Sequence, residues 1–293
     1  MEANSQNGKR KRWSKKTRIL IYTGATMVAV LIGLCFTGIW FFNEFRRIQE
    51  FNQYALREKV CDQGPNSKLK LLFVGNSLLF CSSMPFQFAG IYRQGQTDKN
   101  QGLKIYQVVR PGETLGLHLE QGRFERVLKE NGPFDFVIIQ AASYEATYHP
   151  ETMRKDLAIM IEKVRETGSE PILLMTWADK GDYKTQKAVS DFHKSMGKKF
   201  NARVIADGDL FFEAQKDYPS MEIYMKDRHH QNDTGSYLGA LLTYARLTGN
   251  SIDNAPSSIS IPEGKELSLV KLSPVEHANC IRLVNKFLRS RSF

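Results

Sequence analysis

Apolar runs and amphipathic segments alternate along the chain from residue 68 onward, and this alternation indicates the class of fold. Runs rich in apolar and β-favouring residues lie at 69–75, 103–109, 134–140, 171–177 and 202–206. Segments with helical periodicity lie at 84–96, 113–130, 150–167, 184–199, 208–217, 234–249 and 273–290. Strands that alternate with helices of this length predict an α/β fold with a parallel sheet covered on both faces. Five such strands with right-handed crossovers predict a flavodoxin-like three-layer sandwich, with residues 251–272 as a loop before the last helix.

The first 42 residues have a different pattern. Residues 1–18 hold seven Lys and Arg residues against Glu2 alone, and residues 19–42 contain no charged residue. As a helix, the uncharged stretch rises about 36 Å, enough to cross a hydrocarbon core of about 30 Å. A cleaved signal peptide fits less well, because the stretch is long and ends in bulky residues, 39–42, rather than small ones. Lipoprotein-type cleavage before Cys35 is disfavoured by Leu34. We therefore expect a transmembrane anchor.

This pattern divides the chain into four predicted parts. They are a basic cytoplasmic tail (1–18), a transmembrane anchor (19–42), a juxtamembrane stalk (43–67) and an α/β domain (68–293). Because basic residues dominate before the anchor, the positive-inside rule predicts a cytoplasmic N-terminus and an extracytoplasmic domain. The formal net charge of +10 is concentrated in the tail, so it does not indicate a nucleic-acid partner.

The four cysteines do not form a disulfide framework. Cys35 lies within the predicted anchor, and Cys61, Cys81 and Cys280 are an odd number without metal-ligand spacing. A Cys61–Cys81 bridge is conceivable in an oxidising compartment, but buried thiols are the preferred interpretation.

The first predicted strand of the domain ends in Gly75-Asn76-Ser77, which is where candidate chemistry begins. In a doubly wound sheet, ligands bind beyond the carboxyl ends of the strands. A serine at that edge has backbone N–H groups and a helix N-terminus close by, both suited to a developing oxyanion. The alternative is that Ser77 only caps the following helix. A base elsewhere in the sequence that could pair with Ser77 would favour the nucleophile over the cap.

The densest polar cluster, residues 227–235, supplies a candidate base. Asp227 and His230 are spaced so that the carboxylate can approach the imidazole and fix its tautomer. Other interpretations stay open: a metal site built from Asp227, His229, His230 and Asp233, or a helix cap at Asp233 or Thr234. His118 and His149 are isolated histidines and weaker candidates for the base.

These motifs together resemble the SGNH (GDSL-like) serine hydrolases, and more closely a poorly characterised bacterial branch of them. Four blocks in order carry the resemblance: Gly75-Asn76-Ser77-Leu78, Arg110-Pro111-Gly112-Glu113-Thr114-Leu115 with His118, Ile138-Ile139-Gln140-Ala141-Ala142-Ser143, and Asp227-x-x-His230 followed by Gly235-Ser236-Tyr237-Leu238. The resemblance covers about residues 68–250 and implies the SGNH hydrolase fold.

The resemblance also implies a role for each matched residue. Ser77 would be the nucleophile, His230 the general base and Asp227 its orienting carboxylate. The N–H groups of Ser77 and Gly112 and the side chain of Gln140 would form the oxyanion hole.

Three departures from the family pattern concern activity more than fold. Asn76 replaces the usual Asp, and Gln140 replaces the usual Asn. Gln231-Asn232 replaces Pro-Ser, and the neighbouring His229 makes the choice of base ambiguous.

The sequence thus predicts a membrane-anchored serine esterase that hydrolyses small acyl esters through an acyl-enzyme on Ser77, with carbohydrate or cell-envelope glycan as the substrate class that the resemblance implies. An O-acyltransferase on the same scaffold and a catalytically silent glycan-binding module are the alternatives. No cofactor is expected, because the chain has neither G-x-G-x-x-G nor G-x-x-x-x-G-K. No metal is expected in the preferred interpretation.

Overall fold

Six strands form the main sheet in the computed structural model, which describes residues 55–62, 67–95, 102–261 and 267–291. They are β1 Lys59–Asp62, β2 Ser67–Gly75, β3 Gly102–Val109, β4 Phe136–Gln140, β5 Glu170–Leu174 and β6 Arg203–Ile205. The spatial order is β1-β3-β2-β4-β5-β6, and every neighbouring pair is parallel except β1 with β3. The five parallel strands therefore have the predicted flavodoxin-like order, in which the second strand lies outside the first.

The sixth strand, β1, corrects the prediction of a five-stranded sheet. It pairs antiparallel with β3 at the edge and comes from residues that were expected to belong to the stalk. Gln107 of β3 donates from its side-chain nitrogen to the carbonyl oxygens of Ala55 (2.8 Å) and Arg57 (2.7 Å). The strand is only four residues long, with the sequence KVCD, so it lacks the apolar run by which the other strands were found.

Ten helices surround the strands in the part of the chain that the structure describes. They are α1 Ser77–Phe80, α2 Met84–Gly95, α3 Leu115–Glu120, α4 Arg123–Asn131, α5 Glu145–Tyr148, α6 Pro150–Glu166, α7 Tyr183–Phe200, α8 Asp207–Asp217, α9 Asp233–Thr248 and α10 Pro274–Ser290.

Most predicted helices are present, and the differences from prediction are local. The helix expected over 113–130 is split into α3 and α4 at Gly122, whose φ of +65° is left-handed and interrupts a helix. The loop expected over 251–272 contains an antiparallel hairpin, β7 Ser258–Ile261 and β8 Leu267–Lys271.

Helices cover both faces of the sheet, as the pattern predicts. Leu72 and Val74 of β2 pack into a core with apolar residues of α4, α6 and α7. Phe73 points to the opposite face, because successive residues of a strand alternate. There its ring contacts Phe88 of α2 (6.0 Å between centroids), which in turn contacts Tyr244 of α9 (6.1 Å).

The predictions for the N-terminal 54 residues lie outside the described ranges. The tail, the anchor and most of the stalk belong to this segment, as does Cys35. Among the helices that the structure describes, none is both long enough and apolar enough to span a bilayer. The three described cysteines, Cys61, Cys81 and Cys280, are free thiols, so the conceivable Cys61–Cys81 bridge is absent.

Candidate active site

The turn after β2 presents Ser77 at the carboxyl edge of the sheet. Asn76 caps α1, because its Oδ1 accepts the Leu78 N–H at 3.2 Å, and Ser77 is the first residue of that helix. The Asn76 side chain also donates from Nδ2 to the Glu113 carbonyl oxygen at 3.0 Å. One buried amide thus fixes the turn of Ser77 and connects it to the loop that follows β3.

The structure brings Ser77, His230 and Asp227 together. The Ser77 hydroxyl lies 2.9 Å from His230 Nε2, and His230 Nδ1 lies 2.7 Å from Asp227 Oδ2. A carboxylate only accepts hydrogen bonds, so Nδ1 carries the proton and Nε2 keeps its lone pair for the Ser77 hydroxyl. This is the tautomer that a general base beside a serine needs.

Asp227 is held as a carboxylate by the loop around it. Burial opposes its ionisation, but the N–H groups of His229 and His230, both 3.0 Å from Oδ1, and the His230 ring outweigh that effect. Together they lower the pKa of Asp227 to about 2. Arg228, between the carboxylate and the two histidines, has a φ of +64°, which lets the loop fold back onto Asp227.

Gln231 fastens this loop to the helix that carries Ser77. Its Nε2 donates to the carbonyl oxygens of Leu78 (2.8 Å) and Cys81 (2.7 Å), and the side chain is buried. This role of Gln231 was not predicted from the sequence, although the departure from Pro-Ser at positions 231 and 232 is a signal that points to it. Asn232 caps α9 by accepting the Gly235 N–H at 3.0 Å, rather than Asp233 or Thr234.

The three residues predicted to form the oxyanion hole differ in whether they have a hydrogen-bond donor free for a substrate. Among the described residues, no hydrogen-bond partner occupies the N–H of Ser77 or of Gly112, and Gly112 has a φ of +73° with open space around it. Gln140 differs from expectation: its Nε2 donates to Asn76 Oδ1 (3.2 Å) and to the Ala141 carbonyl, while its Oε1 accepts the Asn76 N–H (3.0 Å). Both of its amide hydrogens are used, so Gln140 supports the Asn76 turn instead of offering a free donor.

His118 is buried behind the same turn. Its Nε2 lies 3.0 Å from the Gly75 carbonyl oxygen, and its Nδ1 lies 3.2 Å from Glu113 Oε2. Burial lowers the pKa of His118, against the opposing effect of Glu113. His118 is therefore an internal histidine whose Nε2 contacts the end of β2, while its Nδ1 has no hydrogen-bond partner among the described residues.

His229, the other candidate base, is directed toward a different serine, Ser143, on the loop after β4. Each of the two histidine rings thus has an aspartate at Nδ1 and a serine at Nε2. Within the residues that the structure describes, no three His, Cys, Asp or Glu side chains group as metal ligands.

A sheet of this order with a serine, a histidine and a carboxylate at its carboxyl edge has the arrangement of the serine hydrolases built on an α/β scaffold. The chain matches no protein-family model, and no curated protein matches it.

Comparison with solved structures shows which proteins share this fold. A candidate SGNH hydrolase from Slackia heliotrinireducens is 21% identical, with a TM-score of 0.52, and the match covers 60% of this chain and 97% of that one. A DUF4886 family protein from Bacteroides uniformis is 15% identical, with a TM-score of 0.58, covering 77% and 97%. An alpha/beta hydrolase from the metagenome of Lake Arreo is 14% identical, with a TM-score of 0.50, covering 62% and 96%. The chain therefore has the fold of the SGNH hydrolases.

Proposed function

We propose that this protein is a serine ester hydrolase whose nucleophile is Ser77. The observation that carries the proposal is the continuous relay from Ser77 Oγ to His230 Nε2 (2.9 Å) and from His230 Nδ1 to Asp227 Oδ2 (2.7 Å). Ser77 and His230 are 153 positions apart in the sequence, and they meet in hydrogen-bond geometry. A serine that only caps α1 would need no such partner, because Asn76 already performs the capping.

The arrangement supports acyl transfer in two steps. Ser77 Oγ attacks the ester carbonyl while His230 Nε2 takes the hydroxyl proton, and the ionised Asp227 stabilises the imidazolium. His230 then returns the proton to the departing alcohol, which leaves an acyl group on Ser77. Water, deprotonated by the same ring, releases the acid. The unoccupied N–H groups of Ser77 and Gly112 are the donors available to the oxyanion, each worth roughly 3 kcal/mol in the transition state.

The substrate class and the location are part of the proposal. The resemblance to SGNH hydrolases favours small acyl esters on carbohydrate or cell-envelope glycan. Two exposed rings, Tyr144 and Tyr148, follow the end of β4 and offer apolar faces with polar tips of the kind that pack against sugar rings. The uncharged stretch 19–42 supports an anchor that holds the hydrolase domain outside the cytoplasm.

The test is hydrolysis of a short-chain aryl ester such as 4-nitrophenyl acetate by the full chain, purified in a mild detergent. We expect Ser77→Ala to lower kcat by about 1,000-fold or more while the far-ultraviolet circular dichroism stays unchanged. Ser195→Ala, at an exposed serine of α7, is the matched control and should keep full activity. An equally active Ser77→Ala variant would refute the proposal.

A further inference from the structure

A second chain of serine, histidine and aspartate lies beside the first. Ser143 Oγ is 3.2 Å from His229 Nε2, and His229 Nδ1 is 2.7 Å from Asp179 Oδ1. As in the Ser77 relay, the serine contacts Nε2 of the histidine and the aspartate contacts Nδ1. The three residues also occur along the chain in the order serine, aspartate, histidine, which is the order of the α/β-hydrolases.

The protonation states follow from the same argument as for the first relay. The Asp179 carboxylate can only accept, so His229 carries its proton on Nδ1 and presents a lone pair at Nε2. The Ser143 hydroxyl is then the donor to that lone pair. In the neutral form of its imidazole, each relay therefore places a histidine lone pair opposite a serine hydroxyl.

Contacts outside the second relay hold its members in place. The buried Glu145 accepts the Ala142 N–H at 2.7 Å and so fixes the turn that carries Ser143. The His229 carbonyl accepts the indole N–H of Trp177 at 2.9 Å. Because three separate loops contribute, the arrangement is not a by-product of one local turn.

Two reciprocal bonds tie the loop of Asp179 to the loop of His229. The Lys180 N–H donates to the Arg228 carbonyl at 2.8 Å, and the Arg228 guanidinium donates to the Lys180 carbonyl at 2.9 Å. Asp179 and His229 each lie next to one of the two residues that make these contacts. The carboxylate and the imidazole are therefore brought together by these contacts between their loops as well as by their own hydrogen bond.

Both relays lie at the carboxyl edge of the sheet. Ser143 follows β4, Asp179 follows β5, and His229 precedes His230 on the loop between α8 and α9. The two imidazole rings are perpendicular, with centroids 4.9 Å apart. The second serine is partly exposed, as Ser77 is, so a reagent that reaches the edge can meet either one.

We propose that Ser143 is a second nucleophilic serine, activated by His229 and Asp179, that can take an acyl group from an ester independently of Ser77. Ser143 Oγ forms a bond to the carbonyl carbon, and its proton passes to His229 Nε2. The carbon–oxygen bond of the ester breaks and His229 gives the proton to the departing alcohol. Water then hydrolyses the ester on Ser143, with His229 taking the proton from water and returning it to Ser143 Oγ.

This second nucleophile reacts more slowly than Ser77. The Asp179 side chain is 66% exposed, against 48% for Asp227, so solvent screens its interaction with the imidazole more strongly. Asp227 also accepts two backbone N–H groups that hold it in place, whereas the described hydrogen bonds of the Asp179 carboxylate go to the His229 ring alone.

A fluorophosphonate probe tests the proposal on the full chain, with the modified serine located by peptide mass spectrometry. In this reaction a serine oxygen bonds to phosphorus, fluoride leaves and the histidine takes the proton. We expect wild type to be labelled at Ser77 and, more slowly, at Ser143. Ser77→Ala should keep the label at Ser143, and the double variant with Ser143→Ala should have none.

Removal of the carboxylate separates an activated serine from one that is merely exposed. In the Ser77→Ala background, Asp179→Asn should slow labelling of Ser143 by about 10-fold or more, less than the ~10⁴ typical of a buried triad aspartate. Asp191→Asn, at an exposed aspartate of α7, is the control and should leave the rate unchanged.

The outcomes distinguish this inference from the proposed function. Label at Ser77 in wild type, with none at Ser143 in the Ser77→Ala variant, overturns the second nucleophile and leaves the first intact. Label at Ser143 alone in wild type overturns the role of Ser77 and supports the second nucleophile. Labelling of Ser143 that is equally fast with and without the Asp179→Asn substitution overturns the relay.

Discussion

At the scale of single residues, Asn76 explains why an amide rather than a carboxylate precedes the serine. Its Nδ2 donates to the Glu113 carbonyl, and its Oδ1 accepts from Leu78 and from Gln140. A carboxylate could keep the two accepted bonds but could not donate to Glu113. The residue is 3% exposed, so water cannot replace the missing donor.

We therefore expect Asn76→Asp to lower the free energy of unfolding by about 1–3 kcal/mol at neutral pH and to reduce ester hydrolysis. The reason is that two oxygen atoms would face each other where a hydrogen bond now lies. Urea denaturation measures the first effect. Asn250→Asp, at an exposed position, is the control; a variant at position 76 as stable as this control would contradict the account.

At the scale of elements, the loop between α8 and α9 is positioned by Gln231 as much as by the contacts among Ser77, His230 and Asp227. The side chain bridges from this loop to two carbonyls of the α1 segment, and so sets the distance between His230 and Ser77. Replacement by an apolar side chain of similar length removes both bonds and leaves two carbonyl oxygens without these donors.

We expect Gln231→Met to lower kcat by about 10-fold or more, because a small displacement of a catalytic group is costly, and to reduce stability by about 1–3 kcal/mol. Steady-state hydrolysis and urea denaturation measure the two effects. Gln94→Met, at an exposed residue of α2, is the control. Unchanged kcat in Gln231→Met would show that the loop is positioned without it.

A buried carboxyl at the start of α8 gives the fold a dependence on pH. Asp207 is 1% exposed, its Oδ1 has no hydrogen-bond partner among the described residues, and burial raises its pKa to about 8. A carboxyl with a raised pKa stabilises the folded state fully below its unfolded value of about 3.9, and this contribution is lost as pH rises toward 8.

Asp207→Asn should remove the decrease in stability that wild type shows as pH rises toward 8, because an amide does not ionise. Between pH 5 and pH 8 the variant should gain stability relative to wild type by as much as about 4 kcal/mol, at about 1.4 kcal/mol per pH unit. Urea denaturation at several pH values measures the difference. For the control Asp191→Asn, the free energy of unfolding should depend on pH as it does in wild type. The same pH dependence in Asp207→Asn would show that the buried carboxyl does not destabilise the fold as pH rises.

The residues of the candidate site were predictable to different degrees. Ser77 follows an apolar strand and Asp227 precedes His230 by three residues, and both are local patterns that the sequence displays. The choice between His229 and His230 was not predictable, because both rings have an aspartate and a serine as partners. The use of both amide hydrogens of Gln140 also depends on Asn76, a contact 64 positions away in the sequence.

At the scale of the whole molecule, the parallel core could be predicted and its edge could not. Each parallel strand is an apolar run followed by a helical pattern, and the observed bounds are close to the predicted ones. Strand β1 is short and polar, and it pairs with the distant β3 in the register Cys61 with Ile105. Only tertiary contacts reveal such a strand.

Removal of residues 1–67 tests the contribution of this edge. Without β1, the N–H and carbonyl groups along one side of β3 lose their partners, and Gln107 loses its acceptors at 55 and 57. We expect a chain of residues 68–293 to melt at a lower temperature and to aggregate more readily than residues 43–293. Equal melting temperatures would show that β1 is dispensable.

If Ser77 is the nucleophile, it carries the acyl group during turnover, and this acyl-enzyme can be trapped. The full chain is mixed with 4-nitrophenyl acetate, quenched in acid during the first turnover and digested, and the peptides are examined by mass spectrometry. We expect the mass of one acetyl group on the peptide that contains Ser77, and none on that peptide in Ser77→Ala. Rapid turnover by a wild-type chain whose Ser77 peptide stays unmodified at every quench time would rule out Ser77 as the nucleophile.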